Sequence, residues 1–237
     1  MSAARGTIVV TGASRGIGAA VAAALAARGY AVVGLSRGGA CAVGRGIACD
    51  VTEEAALAAA LADAARDGGL VGLVNNAGVH RATRSASLPT AEWDAVLRLD
   101  ATAVMVACRE AYPHLVKAGG GLIVNIGSFF DRLGVPGSLA YCVAKAAVGA
   151  ITRCLAAEWA ADNIRVLDVA PGYIETDLNR KFLARPETQA WLAQRVPMRR
   201  AGTPEEVGRL VGLLFKAEIG FLTGETITID GGQAMNH

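Results

Sequence analysis

No segment limits this chain more than residues 7–18. There the apolar run Thr7-Ile8-Val9-Val10 meets Thr11-Gly12-Ala13-Ser14-Arg15-Gly16-Ile17-Gly18, and an alanine-rich run follows. The first run reads as a buried strand and the last as a helix. Between them, glycines permit a tight turn and let a ligand approach the backbone without side chains in the way. A helix that starts there presents unpaired N–H groups and the positive end of its dipole, which together make an anion site. Strand, glycine turn and helix in that order are the context a dinucleotide-binding turn requires. The expected cofactor contacts from this turn are Gly12, Ser14, Arg15, Gly16, Ile17 and Gly18.

A length of 237 residues, 53% of them hydrophobic, suits one α/β domain spanning 1–237. A net charge of +2 asks for neither nucleic acid nor an anionic membrane surface. The five cysteines show no Cys-x-x-Cys spacing, which suits reduced thiols and no metal. The first strand begins by Thr7, which leaves no room for a signal peptide, and no apolar run approaches a membrane span. A cytoplasmic enzyme is the expectation.

Ile17, Val21, Ala24, Leu25 and Arg28 follow helical spacing, Gly29 closes that helix, and Ala31 to Leu35 reads as a second strand. It ends at Ser36-Arg37, where a dinucleotide site reads the adenosine ribose. An acid there would repel a 2′-phosphate. Ser36, Arg37 and Arg15 instead favour NADP(H), because a guanidinium matches phosphate oxygens in a fork. NAD(H) remains possible if both arginines are ordinary solvated side chains. Residues 38–45 are too short and glycine-rich for a helix, and Gly46 to Cys49 reads as a third strand ending at Asp50-Val51. Asp50 with Thr52 also suits the cap of a helix over 53–65.

Leu70 to Val74 reads as a fourth strand running into Asn75-Asn76-Ala77-Gly78, with His80 at the mouth of the expected cleft. Residues 89–117 read as two helices, and Gly121 to Ile126 as a fifth strand ending at Gly127-Ser128. Tyr141 and Lys145 follow at i, i+4, on one face of a helix. That pair also suits a structural tyrosine and a surface lysine. Its chemical alternative is concrete: a phenol titrates near 10, and an adjacent ammonium favours the phenolate.

The spacing G-x-x-x-G-x-G after Thr11, then Asn75 to Gly78, Ser128, Tyr141 with Lys145, and Pro171-Gly172 occur in the order of one family. The chain resembles the short-chain dehydrogenase/reductases, and within them the 3-oxoacyl-carrier-protein reductase group. Residues 170–177 and the ending from Leu222 to Gly232 add to that likeness.

The resemblance implies a doubly wound parallel sheet of about seven strands with helices on both faces. It implies that Tyr141 exchanges the proton, Ser128 orients the substrate oxygen, and Lys145 holds the nicotinamide ribose while tuning Tyr141. Asp50 and Val51 then meet the adenine, and Asn76, Ala77 and Gly78 lie along the cofactor. Pro171, Gly172, Ile174 and Thr176 close the nicotinamide end. The implied reaction interconverts a ketone or 3-oxoacyl carbonyl and a secondary alcohol. The alternatives are an NAD-dependent sugar or diol dehydrogenase, and a catalytically weak nucleotide sensor on the same fold.

A homotetramer through residues 101–118 and 141–161 is implied as well. Residues 176–200, with Leu178, Phe182, Leu183 and Trp191 among charges, read as a substrate-covering loop. The chain departs from the family in three places. The crossover over 38–45 lacks a helix, Asp100 stands where a catalytic asparagine is usual, and Leu167-Asp168 replaces a usual asparagine and its neighbour.

Overall fold

A computed structural model of the protein describes residues 5–235 apart from Asp67, Leu178 and Glu218. Seven strands form one sheet: β1 (Thr7–Thr11), β2 (Ala31–Ser36), β3 (Arg45–Ala48), β4 (Leu70–Asn75), β5 (Gly121–Ile126), β6 (Ile164–Pro171) and β7 (Thr226–Ile229). Their order is β3-β2-β1-β4-β5-β6-β7, and every neighbouring pair is parallel. The winding reverses between β1 and β4, which opens a crevice outside their carboxyl ends.

Parallel strands need crossovers that cover both faces of the sheet, so alternate residues of each strand enter two different cores. Ile8, Val10, Val74, Val124 and Leu167 pack with Val21 and Leu25 of α1 (Gly16–Ala26) and Val207 and Val211 of α8 (Pro204–Lys216). Val9, Leu73, Ile123 and Val166 face the other way. They pack with Leu57 and Leu61 of α2 (Glu54–Ala64), Cys108 and Leu115 of α4 (Ala103–Lys117), and Val148 of α5 (Leu139–Trp159). A capping box between Thr203 and Glu206 starts α8.

The crossover from β2 to β3 is a coil folded onto the sheet. Ala42 N–H donates to Ala13 O at 3.3 Å, and a Cβ on Gly34 would meet Cys41 Sγ at 2.3 Å. With no helix over it, β3 is largely exposed.

Two sequence expectations need correction. Residues 90–117 are one continuous run: α3 (Thr90–Leu97) passes through a π-helical turn, Arg98–Thr102, into α4. The widened turn buries Asp100 and Ala101. The stretch Leu139–Asp162, whose most apolar 18 residues have mean hydropathy 1.4, is also long and apolar enough to cross a membrane by length and composition, contrary to the reading of short runs. It packs on β6 and buries Lys145 and Thr152, as a core helix does.

The expected cover over 176–200 is more ordered than a loop. It holds α6 (Arg180–Leu183) and α7 (Pro186–Arg195), and Leu183, Leu192 and Val196 form a small core with Tyr173. Phe182 and Trp191 stay exposed, and Leu178 lies outside the described residues.

Candidate active site

The glycine turn is clamped to the end of β4 by side chains. Thr11 Oγ1 accepts from Asn76 N at 2.9 Å and Ala77 N at 3.0 Å, while Asn76 Nδ2 donates to Thr11 O at 2.9 Å and Gly12 O at 3.2 Å. Gly12 has φ +67, and a Cβ on Gly18 would lie 2.3 Å from Gly12 O, so only glycine fits this turn. At the start of α1, Arg15 is the extended N-cap residue with no side-chain capping bond, and no acid occupies the first turn. The cradle therefore fits a pyrophosphate: uncapped N–H groups, a positive dipole end and no competing carboxylate. Ser14 and Arg15 are exposed beside it.

At the adenosine end, Arg37 is exposed and its charge helps hold the Asp50 carboxyl below the usual range, after the hydrogen bonds from Thr52. Asp50 Oδ1 accepts from Thr52 N at 3.0 Å and Thr52 Oγ1 at 2.8 Å, a local turn just ahead of α2; the N-cap residue is Glu53, with no side-chain capping bond, so the cap expected of Asp50 and Thr52 is not formed. Two expected contacts are otherwise engaged. Ser36 Oγ donates to Ala40 O at 2.7 Å, which ties it to the shortened crossover, and the Val51 side chain is buried in the core beside α2.

The remaining residues line one cleft of about 400 Å³ at the carboxyl ends of the strands. Ile17, Asn76 and Gly78 form one side, Pro171, Gly172, Ile174 and Thr176 another, and Asp100, Ser128, Tyr141 and Lys145 stand between. Ser128, 5% exposed, follows β5, and its Oγ accepts from Phe130 N at 3.2 Å. Its own proton remains free to donate. Lys145 Nζ donates to Ile126 O at 2.8 Å and lies 5.6 Å from the centre of the Tyr141 ring. His80 lines the cleft, as expected, with Nε2 3.0 Å from Ser138 Oγ.

Asp100 lines this cleft from a position closed to solvent. It is fully buried; Oδ1 accepts from Val79 N at 2.9 Å, and Oδ2, 4.0 Å from Lys145 Nζ, has no hydrogen-bond partner. Burial pushes its carboxyl upward, against the pull of the Lys145 ammonium and the Val79 N–H.

Sequence reasoning had no account of Asp168, which is buried in β6 behind Ser128. Its Oδ2 accepts from Thr226 Oγ1 at 3.1 Å, and its Oδ1 has no partner. Its carboxyl occupies the space a side chain on Gly127 would need, 2.4 Å from a Cβ there. Burial raises it to about 6, although Thr226 and the Lys145 charge favour its ionised form. Two buried carboxyls thus feel one ammonium. Sequence reasoning also passed over Phe129 and Phe130, although two adjacent phenylalanines after Ser128 in an aromatic-poor chain were a visible signal.

The comparisons with known proteins agree with this geometry. A family model described as enoyl-(acyl carrier protein) reductase matches residues 12–234. The chain is 39% identical to cis-4-hydroxycyclohexanecarboxylate dehydrogenase of Sinomonas cyclohexanicum, with 94% of each chain covered. It is 35% identical to 3-oxoacyl-[acyl-carrier-protein] reductase of Vibrio harveyi, with 96% of each covered. The ligand-free structure of Thermoplasma acidophilum aldohexose dehydrogenase superposes with TM-score 0.91 at 30% identity, covering 99% of this chain and 96% of that one. With that sheet order, that cleft and these relatives, the chain belongs to the short-chain dehydrogenase/reductase family and is an alcohol/carbonyl oxidoreductase.

Proposed function

We propose that the chain is an NADP(H)-dependent oxidoreductase that interconverts a ketone or 3-oxoacyl carbonyl and a secondary alcohol. The observation that carries this reading is the meeting of Ser128, Tyr141 and Lys145 in one cleft beside the glycine turn. The turn and the start of α1 hold the pyrophosphate, Arg15 and Arg37 meet a 2′-phosphate, and Lys145 holds the nicotinamide ribose. The bound nicotinamide supplies the hydride chemistry.

The chain's own residues handle the substrate oxygen. Tyr141 gives it a proton in reduction and takes one back in oxidation. Ser128 donates a hydrogen bond to the same oxygen, because its Oγ lone pair is already engaged by Phe130 N. The Lys145 ammonium stands 5.6 Å from the centre of the Tyr141 ring, and its bond to Ile126 O fixes its place. Asp100, with its unpartnered Oδ2 facing Lys145, is the acceptor for a proton relay from the lysine.

The whole chain acts as one domain, with residues 176–200 covering the substrate. Five free thiols suit a reducing cytoplasm. Met105, Val116, Leu139 and Val143, exposed along α4 and α5, suit a homotetramer.

The test is reduction of a ketone panel with NADPH and NADH by the wild-type protein and Tyr141→Phe. The variant keeps the ring and should bind cofactor normally while turnover falls by roughly 10²-fold or more. Near-normal turnover in the variant would end the assignment of Tyr141. Equal use of NADH would remove the 2′-phosphate contacts from the reading.

A further inference from the structure

Aromatic residues are scarce in this chain, with five Phe, four Tyr and three Trp. Five of these twelve, Phe129, Phe130, Tyr141, Tyr173 and Phe182, line the cleft that holds Ser128 and Lys145. The rings of Phe129, Phe130, Tyr141 and Tyr173 form a connected wall, and Phe182 lines the cleft apart from it. Phe129 lies 4.7 Å from Phe130 and 5.4 Å from Tyr173, and Phe130 meets Tyr141 edge to face at 6.0 Å. His80 extends the wall, 4.9 Å from Tyr141 and 6.1 Å from Phe130. Rings held edge to face offer a further ring the same tilted packing that they give each other.

The polar side chains of the cleft are already occupied within the protein. Asn179 donates to Ile174 O at 2.9 Å and accepts from Thr176 N at 2.7 Å, and His80 is engaged with Ser138. Asn76 is spent on the glycine turn. Apart from the one oxygen that Ser128 and Tyr141 address, a polyhydroxylated substrate would bury hydroxyls without side-chain partners, each at a cost of about tenfold in binding. Among the described residues, the charged side chains lining the cleft are Lys145 and Asp100, and Lys145 already donates to Ile126 O. A carboxylate, sulfonate or phosphate deep in the cleft would enter beside the Asp100 carboxyl, and the arginines nearest the wall, Arg185 over Phe182 and Arg195 over Trp191, do not line it.

We infer that the substrate class is an uncharged ring ketone, aromatic or alicyclic, and its secondary alcohol, seated against Phe130 and Tyr173. This rests on the carbonyl-reductase reading above. In reduction the carbonyl carbon gains a hydride as NADPH is oxidised to NADP⁺, the C=O π bond breaks, and the oxygen takes a proton from Tyr141.

The experiment measures kcat/KM with NADPH for five compounds. They are a simple ring ketone, its carboxylate-bearing counterpart, a ketose, a 3-oxoacyl thioester and butanone. The ring ketone is expected to lead each of the others by about tenfold or more. Phe182→Ser, at a position 53% exposed and so safe for folding, and Tyr173→Leu should each cost the ring ketone about tenfold more than they cost butanone. Calorimetric binding of the ring ketone should weaken in parallel. A higher kcat/KM for the ketose, the carboxylate or the thioester overturns the substrate class and leaves the carbonyl-reductase reading intact. Failure to reduce any of the five overturns that reading, and the substrate class with it.

Discussion

Replacing Asp168 by Asn tests whether a buried carboxyl behind the active site costs the protein stability at neutral pH. The side chain is fully buried, one oxygen has no partner, and its carboxyl is raised from 3.8 to about 6. The native state therefore holds this proton across roughly pH 4 to 6, where the unfolded chain has released it. Stability falls as pH rises through that window and levels off above it. Two pH units at about 1.4 kcal/mol each amount to about 3 kcal/mol. Asn cannot ionise, and its amide oxygen can still accept from Thr226. Any fixed cost of the new NH₂ group is the same at every pH, so the prediction lies in the slope. Relative to wild type, Asp168→Asn should gain about 3 kcal/mol in stability between pH 4 and pH 7.5. Urea unfolding of both proteins across that range, followed by tryptophan fluorescence, gives the comparison. A difference that stays constant with pH, or that runs the other way, would refute the raised carboxyl.

Three further outcomes follow from the site and the fold. Arg37→Ala should weaken NADPH binding by about tenfold or more and leave NADH nearly unchanged, since a charge-assisted phosphate contact contributes roughly 1.5–3 kcal/mol; equal losses in titrations with the two cofactors would remove Arg37 from the 2′-phosphate. Asp100→Asn should stay active and move the rising limb of alcohol oxidation to lower pH, because the lysine's field on Tyr141 is then no longer opposed by a carboxylate. In a kcat/KM profile with one alcohol, a limb that stays in place would mean that Asp100 keeps its proton, and a limb at higher pH would contradict the argument. Thr203→Ala breaks the capping box of α8 and should cost about 1 kcal/mol in unfolding, with cofactor binding unaffected.

The strands and the glycine turn were readable because their signals are local. Apolar runs end in Gly12 to Gly18, in Asn75 to Gly78 and in Gly127-Ser128, and each of those ends reaches the same crevice. Tyr141 and Lys145 were readable for the same reason, being one helical turn apart. What the sequence hid depends on residues far apart in the chain. The wall of Phe130 and Tyr173 joins segments after β5 and after β6. The burial of Asp168 depends on Gly127 from one neighbouring strand and Thr226 from the other. Leu167 and Asp168 had no account from sequence, because alternation places a side chain on a face without naming its neighbours. Asp50 had two sequence readings, cap and adenine contact; the structure shows a local turn with Thr52 in place of the cap and keeps Arg37 close by.

The π-helical turn at Arg98–Thr102 ties the placement of Asp100 to the length of the chain. Such a turn carries one more residue than the α-helical turn it interrupts. Losing one residue there would let the turn close up into regular α-helical geometry, with α3 and α4 kept in register on either side and the widened turn itself removed. The Asp100 carboxyl would leave the vicinity of Lys145 and the Val79 N–H without any change to its own identity. For this protein, then, an insertion or deletion in a helix far from any loop is as consequential as a substitution in the cleft. A descendant that shortened this helix would keep every recognisable motif and lose the widened turn that buries Asp100.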